Sequence, residues 1–176
     1  MNIGKIQRSD VAAANQLATM TKILMVCMGN VCRSPMAQAV SLHLAAQAGL
    51  ARQIQIDSAG TRAMRGNQAA DPRAKAVLSA RGYTAGKTKS RQVTERDFER
   101  YDLILSMDQS NLNDLRRMCP DENAHKLRLF LEFAGAVDTR EVPDPYYGNV
   151  KGFERVLDLC EAGARGLVTY CQGVRI

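Results

Sequence analysis

The apolar run Ile23-Leu24-Met25-Val26 passes directly into Cys27-Met28-Gly29-Asn30-Val31-Cys32-Arg33-Ser34-Pro35, and a helical pattern follows. Strand, tight loop and helix start are thus predicted within about a dozen positions. A loop wrapped over a helix N-terminus turns backbone N–H groups inward and makes an anion site. A cysteine in such a field is favoured as the thiolate, and a thiolate facing bound phosphate is a nucleophile facing an electrophile. Gly29 lets backbone approach a ligand, and Asn30 tolerates the left-handed conformation that a ring of N–H groups needs. Arg33 offers a planar fork for two phosphate oxygens. Pro35 suits a first helical turn, where its missing N–H costs nothing. Ser34 has two readings: the N-cap of the helix, or a donor to the Cys27 sulfur.

Apolar runs at 22–27, 53–57 and 101–107, and a weaker one at 126–130, read as strands. Helical patterns fall at 35–48, 72–81, 94–99, 109–118 and 150–172, with Asp108 as N-cap of the fourth. The alternation predicts an α/β fold, a parallel sheet with helices on both faces. Ligands bind beyond the carboxyl ends of such strands, which is where the Cys27 loop falls. In the last helix Phe153, Val156, Leu157, Cys160, Ala164, Leu167, Val168 and Cys171 recur at spacings of three and four. Cys160 and Cys171 therefore read as small core residues, and His43 as structural rather than catalytic.

The 176 residues suit one domain over 21–176. Residues 1–20 lack the apolar stretch of a signal peptide and read as an extension, disordered or appended. No run approaches the ~18 apolar residues of a membrane span. The net charge of +6 suits acidic partners, but the basic residues are scattered and no basic stripe with interleaved aromatics suggests nucleic acid. The five cysteines are odd in number and form no CxxC pair, which disfavours a disulfide framework or zinc ribbon and favours a reducing cytoplasm.

Attack of sulfur on a phosphate ester requires a proton for the leaving oxygen and then a base for water. Asp144, in Val142-Pro143-Asp144-Pro145-Tyr146-Tyr147-Gly148, is the candidate. Pro, Asp and Gly also make an ordinary surface turn, and only partnership with the Cys27 loop separates the two readings.

On these residues the chain resembles the low-molecular-weight protein tyrosine phosphatases, bacterial type, over about 22–172. The Cys27–Pro35 string looks like the family's phosphate-binding loop, and Pro143-Asp144-Pro145-Tyr146-Tyr147 like its acid loop. Ser58-Ala59-Gly60-Thr61, Asp71-Pro72-Arg73-Ala74, Ser90-Arg91-Gln92 and Met107-Asp108-Gln109-Ser110-Asn111-Leu112 match in order. The resemblance implies a three-layer αβα domain with a four-stranded parallel sheet, the flavodoxin-like phosphotyrosine phosphatase I fold. It implies catalysis without metal or cofactor, in two steps through a phosphocysteine. Cys27 would be the nucleophile and Asp144 the acid and base. Arg33 would hold phosphate with loop residues Met28, Gly29, Asn30, Val31, Cys32 and Ser34. Asn30 would fix the loop's shape, with Ser34 and Ser58 as hydrogen-bond partners. Cys32, otherwise a packed small residue, would form a protective disulfide with Cys27 on oxidation. Met28, Met64, Tyr146 and Tyr147 would wall the phenol pocket.

Two positions depart from the family pattern. Met64 stands where members often carry an aromatic residue, and Thr88 where some have histidine. The implied substrate is a phosphotyrosine protein, with a bacterial tyrosine autokinase of exopolysaccharide export as one candidate. Inorganic phosphate or a similar oxyanion would occupy the loop. Related arginine phosphatases carry threonine at the Val31 position, and related arsenate reductases need two further cysteines. No cysteine lies between Cys32 and Cys119. A phosphate-binding module without turnover would need neither nucleophile nor acid.

Overall fold

The computed structural model describes residues 20–63, 66–87 and 89–173. The expected extension therefore falls, apart from Met20, outside the described residues. The described chain runs β1 (Thr21–Cys27), α1 (Arg33–Gln47), β2 (Ile54–Gly60), α2 (Pro72–Ala80), α3 (Glu95–Arg100), β3 (Leu103–Ser106), α4 (Gln109–Met118), β4 (Leu127–Leu129) and α5 (Val150–Gly173). Short 3-10 helices at Asp121–Lys126 and Phe130–Glu132 flank β4. The strands lie in the order β2-β1-β3-β4, all parallel.

Alternation along each strand sorts side chains to the two faces. Ile23, Met25, Ile54, Ile56, Leu103 and Leu105 pack with α1, α2 and α5. Leu24, Val26, Ala59, Ile104, Leu127 and Leu129 pack with Phe98 of α3 and with Leu112 and Leu115 of α4. This is the three-layer arrangement. All eight apolar positions singled out in the last helix are buried, Cys160 and Cys171 among them.

Several boundaries differ from the sequence reading. α1 begins at Arg33, so Arg33 and Ser34 are already in its first turn. β2 continues past Asp57 to Gly60 because Ser58, Ala59 and Gly60 keep pairing with Met25, Val26 and Cys27. β3 starts only at Leu103, since Tyr101 closes α3 as its C-cap. His43 is exposed and meets Tyr83 edge-on at 5.1 Å, away from the phosphate loop.

Two glycines let the chain beyond β4 lie against α5. A Cβ at Gly163 would stand 2.7 Å from Phe130 Cζ, and one at Gly166 would stand 1.6 Å from the Phe133 carbonyl oxygen. The chain then returns to the carboxyl end of the sheet, where the Val142 N–H donates to the Met107 carbonyl at 2.8 Å.

Candidate active site

Cys27 is the last residue of β1, and the loop after it climbs over the start of α1. Asn30 takes a positive φ of 55°, the left-handed conformation expected of it. Its backbone N–H donates to Cys27 Sγ at 3.2 Å, and its side-chain amide donates to Ser34 Oγ at 3.0 Å. The Arg91 N–H donates to Asn30 Oδ1 at 3.0 Å. A buried polar chain thus runs from the Ser90-Arg91-Gln92 segment to the sulfur.

Ser34 Oγ lies 3.1 Å from Cys27 Sγ and 3.3 Å from the Ala59 carbonyl. The N-cap position belongs to Cys32, so the capping reading of Ser34 gives way to the sulfur-bonding one. Ser58 requires a correction too. It shares a strand face with Ile54 and Ile56, so its hydroxyl points to α1 and donates to Gln38 Oε1 at 2.7 Å. The hydroxyl next to Asn30 is that of Ser34, and the β2 residue that shapes the loop is Gly60. A Cβ there would sit 2.5 Å from the Met28 carbonyl oxygen and 3.0 Å from the Asn30 nitrogen.

Arg33 is 3% exposed. One terminal nitrogen donates to Asp108 Oδ2 at 2.5 Å and to the Val142 carbonyl at 3.1 Å, and the other to Asp144 Oδ2 at 2.7 Å. Burial by itself would lower the Arg33 pKa. The neighbouring Cys27 sulfur, Asp108 and Asp144 outweigh it and raise the value, so the guanidinium stays charged. Asp108 was expected only as a helix cap. It does cap α4, accepting from the Asn111 N–H at 2.6 Å, and it also aims Arg33. Nothing in a sequence marks that second role, because the partners are 75 residues apart.

Asp144 accepts from the Tyr146 N–H at 3.1 Å through its other oxygen, which closes a turn at the head of the acid loop. Cys27, Met28, Gly29, Val31, Cys32, Arg33, Asp144, Tyr146 and Tyr147 line one cleft, together with Arg62, Ala63 and Gln68. The last three were not anticipated. The Tyr146 and Tyr147 rings meet edge to face at 5.0 Å, and Tyr147 is 96% exposed. Met64 and Thr88 lie outside the described residues. Burial, and then the negative charge of Asp71, push the Cys32 thiol up to about 12, so it is protonated at neutral pH.

A parallel α/β domain that gathers a cysteine, a buried arginine and a carboxylate past the end of β1 has the make-up expected of a phosphatase. The sequence profile described as low molecular weight phosphotyrosine protein phosphatase matches residues 22–174, and the chain belongs to that family. A low molecular weight protein-tyrosine-phosphatase of Streptomyces coelicolor is 42% identical over 150 residues, covering 84% of this chain and 91% of that one. YfkJ of Bacillus subtilis, a phosphatase of the same name, is 36% identical over 154 residues, 87% and 97% of the two chains. The crystal structure of an Entamoeba histolytica protein tyrosine phosphatase, with Hepes in its active site, superposes with a TM-score of 0.85 at 38% identity. It covers 89% of this chain and 99% of that one. No helix among the described residues is long and apolar enough to cross a membrane.

Proposed function

We propose that this phosphatase hydrolyses phosphotyrosine in proteins through a phosphocysteine, with Cys27, Arg33 and Asp144 in the roles of nucleophile, phosphate clamp and acid–base. The observation that carries the reading is that one cleft holds all three, with Arg33 bonded to Asp144. In the first step Cys27 Sγ attacks phosphorus and the phosphorus–aryl oxygen bond breaks. Asp144 gives its proton to the departing phenolic oxygen. Arg33 and the N–H groups of residues 28–34 hold the equatorial oxygens as charge spreads over them. In the second step water attacks phosphorus, Asp144 takes the water proton, and the sulfur–phosphorus bond breaks to release phosphate. Ser34, 3.1 Å from the sulfur, supports the thiolate as it leaves.

The Hepes bound by the Entamoeba relative carries a sulfonate, a tetrahedral oxyanion, which supports phosphate as the group this loop receives. The exposed faces of Met28, Tyr146 and Tyr147 suit an aryl ring. Val31 supplies no hydroxyl to the cleft, which favours phosphotyrosine over phosphoarginine. None of the five cysteines, all of them among the described residues, is in a disulfide, which supports a cytoplasmic setting. A bacterial tyrosine autokinase is the partner to test first.

Turnover of an aryl phosphate should vanish in Cys27→Ser, and unchanged turnover would sink the mechanism. Rapid quenching of wild-type enzyme should trap phosphate on Cys27. Phosphotyrosine and phosphoarginine peptides compared side by side test the class of substrate, and preference for phosphoarginine overturns the argument from Val31.

A further inference from the structure

The Asp71-Pro72-Arg73 segment has no part in the chemistry so far, yet it touches both catalytic loops. Asp71 caps α2, and its own N–H donates to the Val31 carbonyl of the phosphate loop at 2.7 Å. Its carboxylate accepts from Arg73 Nε at 3.1 Å and from Nη2 at 2.9 Å, a bidentate pair. That pair leaves the far edge of the guanidinium free to reach across. Nη2 donates to the Tyr146 carbonyl at 3.1 Å and Nη1 to the Gly148 carbonyl at 3.3 Å. The guanidinium carbon also lies 4.6 Å from the centre of the buried Phe153 ring in α5 and 5.8 Å from that of Tyr146.

We propose that Arg73 is a positioning residue for the general acid: it spans from the Asp71 cap to the Tyr146 and Gly148 carbonyls and so fixes Asp144 relative to the phosphate loop. The Arg33 pair holds one carboxylate oxygen of Asp144, but the loop that carries Asp144 needs anchors of its own. The Asp144 side chain is 38% exposed, and its backbone lies between Pro143 and the turn it forms with Tyr146. On one side Val142 is tied to Met107, the residue after β3, and on the other Arg73 ties residues 146–148 to α2. Only a planar fork on a long stem satisfies a carboxylate and two carbonyls together. Lysine would retain charge opposite Asp71 but lacks the donor geometry for both carbonyls.

This inference rests on the acid role proposed for Asp144, and the test separates the two. Turnover of phenyl phosphate, a poor leaving group, is compared with that of para-nitrophenyl phosphate, a good one that needs less protonation. In Arg73→Ala the kcat/KM for phenyl phosphate, which reports only the steps through loss of the phenol, should fall by about tenfold or more. The loss for para-nitrophenyl phosphate should be several times smaller. Inhibition by inorganic phosphate should stay within about twofold of wild type, since a folded phosphate loop is untouched. Arg73→Lys should fall between the two, and it carries the same comparison if the alanine variant does not fold. Adding Arg73→Ala to Asp144→Ala should cost nothing further, because Arg73 acts through Asp144. Equal losses on both substrates, additive losses in the double variant, or wild-type kinetics overturn the positioning role. If Asp144→Ala itself spares phenyl phosphate turnover, the acid assignment fails and this inference falls with it.

Discussion

Arg33, buried in the first turn of α1, bonds the carboxylate of Asp144 at 2.7 Å across 111 residues of sequence. An ion pair in this place has two consequences. It parks the proposed acid at the mouth of the Cys27 loop, and it puts a negative group where the proposed phosphate dianion would enter. Asp144→Ala should therefore cut kcat on an aryl phosphate by about 10²–10⁴-fold, the usual contribution of a general acid. The same variant should bind phosphate or vanadate at least as tightly as wild type, because a competing anion is gone. Parallel turnover and inhibition measurements decide it, and weaker oxyanion binding would show that Asp144 organises Arg33 rather than competing for it.

Gly60 lies under the loop rather than in it. A methyl group there would meet the Met28 carbonyl at 2.5 Å, and backbone cannot swing aside as a flexible side chain would. Gly60→Ala should push Met28–Asn30 outward and separate the Asn30 N–H from the sulfur. Phosphate affinity should fall at least tenfold, while global stability drops by only about 1–3 kcal/mol, the range for overpacking. Inhibition by phosphate alongside urea unfolding would check this, and unaltered affinity would place the loop's shape elsewhere.

Residues near each other in the chain carried most of what could be read from the sequence. β1, the Cys27 loop and the stripe of α5 are local patterns, and Asp108 announces the start of α4 by its position alone. Gly60, Arg91 and the second role of Asp108 were not legible, because each acts on a partner some 30 to 75 residues away. The sequence reading ends β2 at Asp57 because Ser58-Ala59-Gly60 lacks the bulk that marks a strand, although pairing with β1 continues through it. Strand parity turns the Ser58 hydroxyl, which the resemblance places with Asn30, to Gln38 on the α1 side.

Cys32 is buried, and its thiol is pushed up to about 12, so it should not compete with Cys27 for phosphate at neutral pH. Its use would come after oxidation. Peroxide converts the Cys27 thiol to sulfenic acid with loss of water, and the Cys32 sulfur then condenses with it, releasing a second water and forming a disulfide. Wild-type enzyme treated with peroxide should regain activity in dithiothreitol. Cys32→Ser should regain far less, its Cys27 having passed to sulfinic or sulfonic acid. Equal recovery in both would reject the protective role.

The Arg91–Asp97 pair links fold stability to the phosphate loop. Both terminal guanidinium nitrogens of Arg91 reach Asp97, at 2.9 and 3.0 Å, while the Arg91 backbone holds Asn30. Burial alone would raise the Asp97 pKa. The Arg91 pair and the N–H and hydroxyl of Thr94 outweigh it, and the carboxyl is held below the usual range. A depressed folded-state value means that the pair's stabilisation is fully present above the unfolded value near 4 and is lost as pH falls through the folded one. Asp97→Asn should cost on the order of 2 kcal/mol at pH 7, less than a fully buried pair because Arg91 reaches solvent. It should also flatten the decline in stability below about pH 4. The decline should not disappear, since Asp71, Asp114 and Glu132 are held low as well. Urea midpoints from pH 3 to 7 test this, and a variant whose acid limb parallels that of wild type would remove Asp97 from the titration.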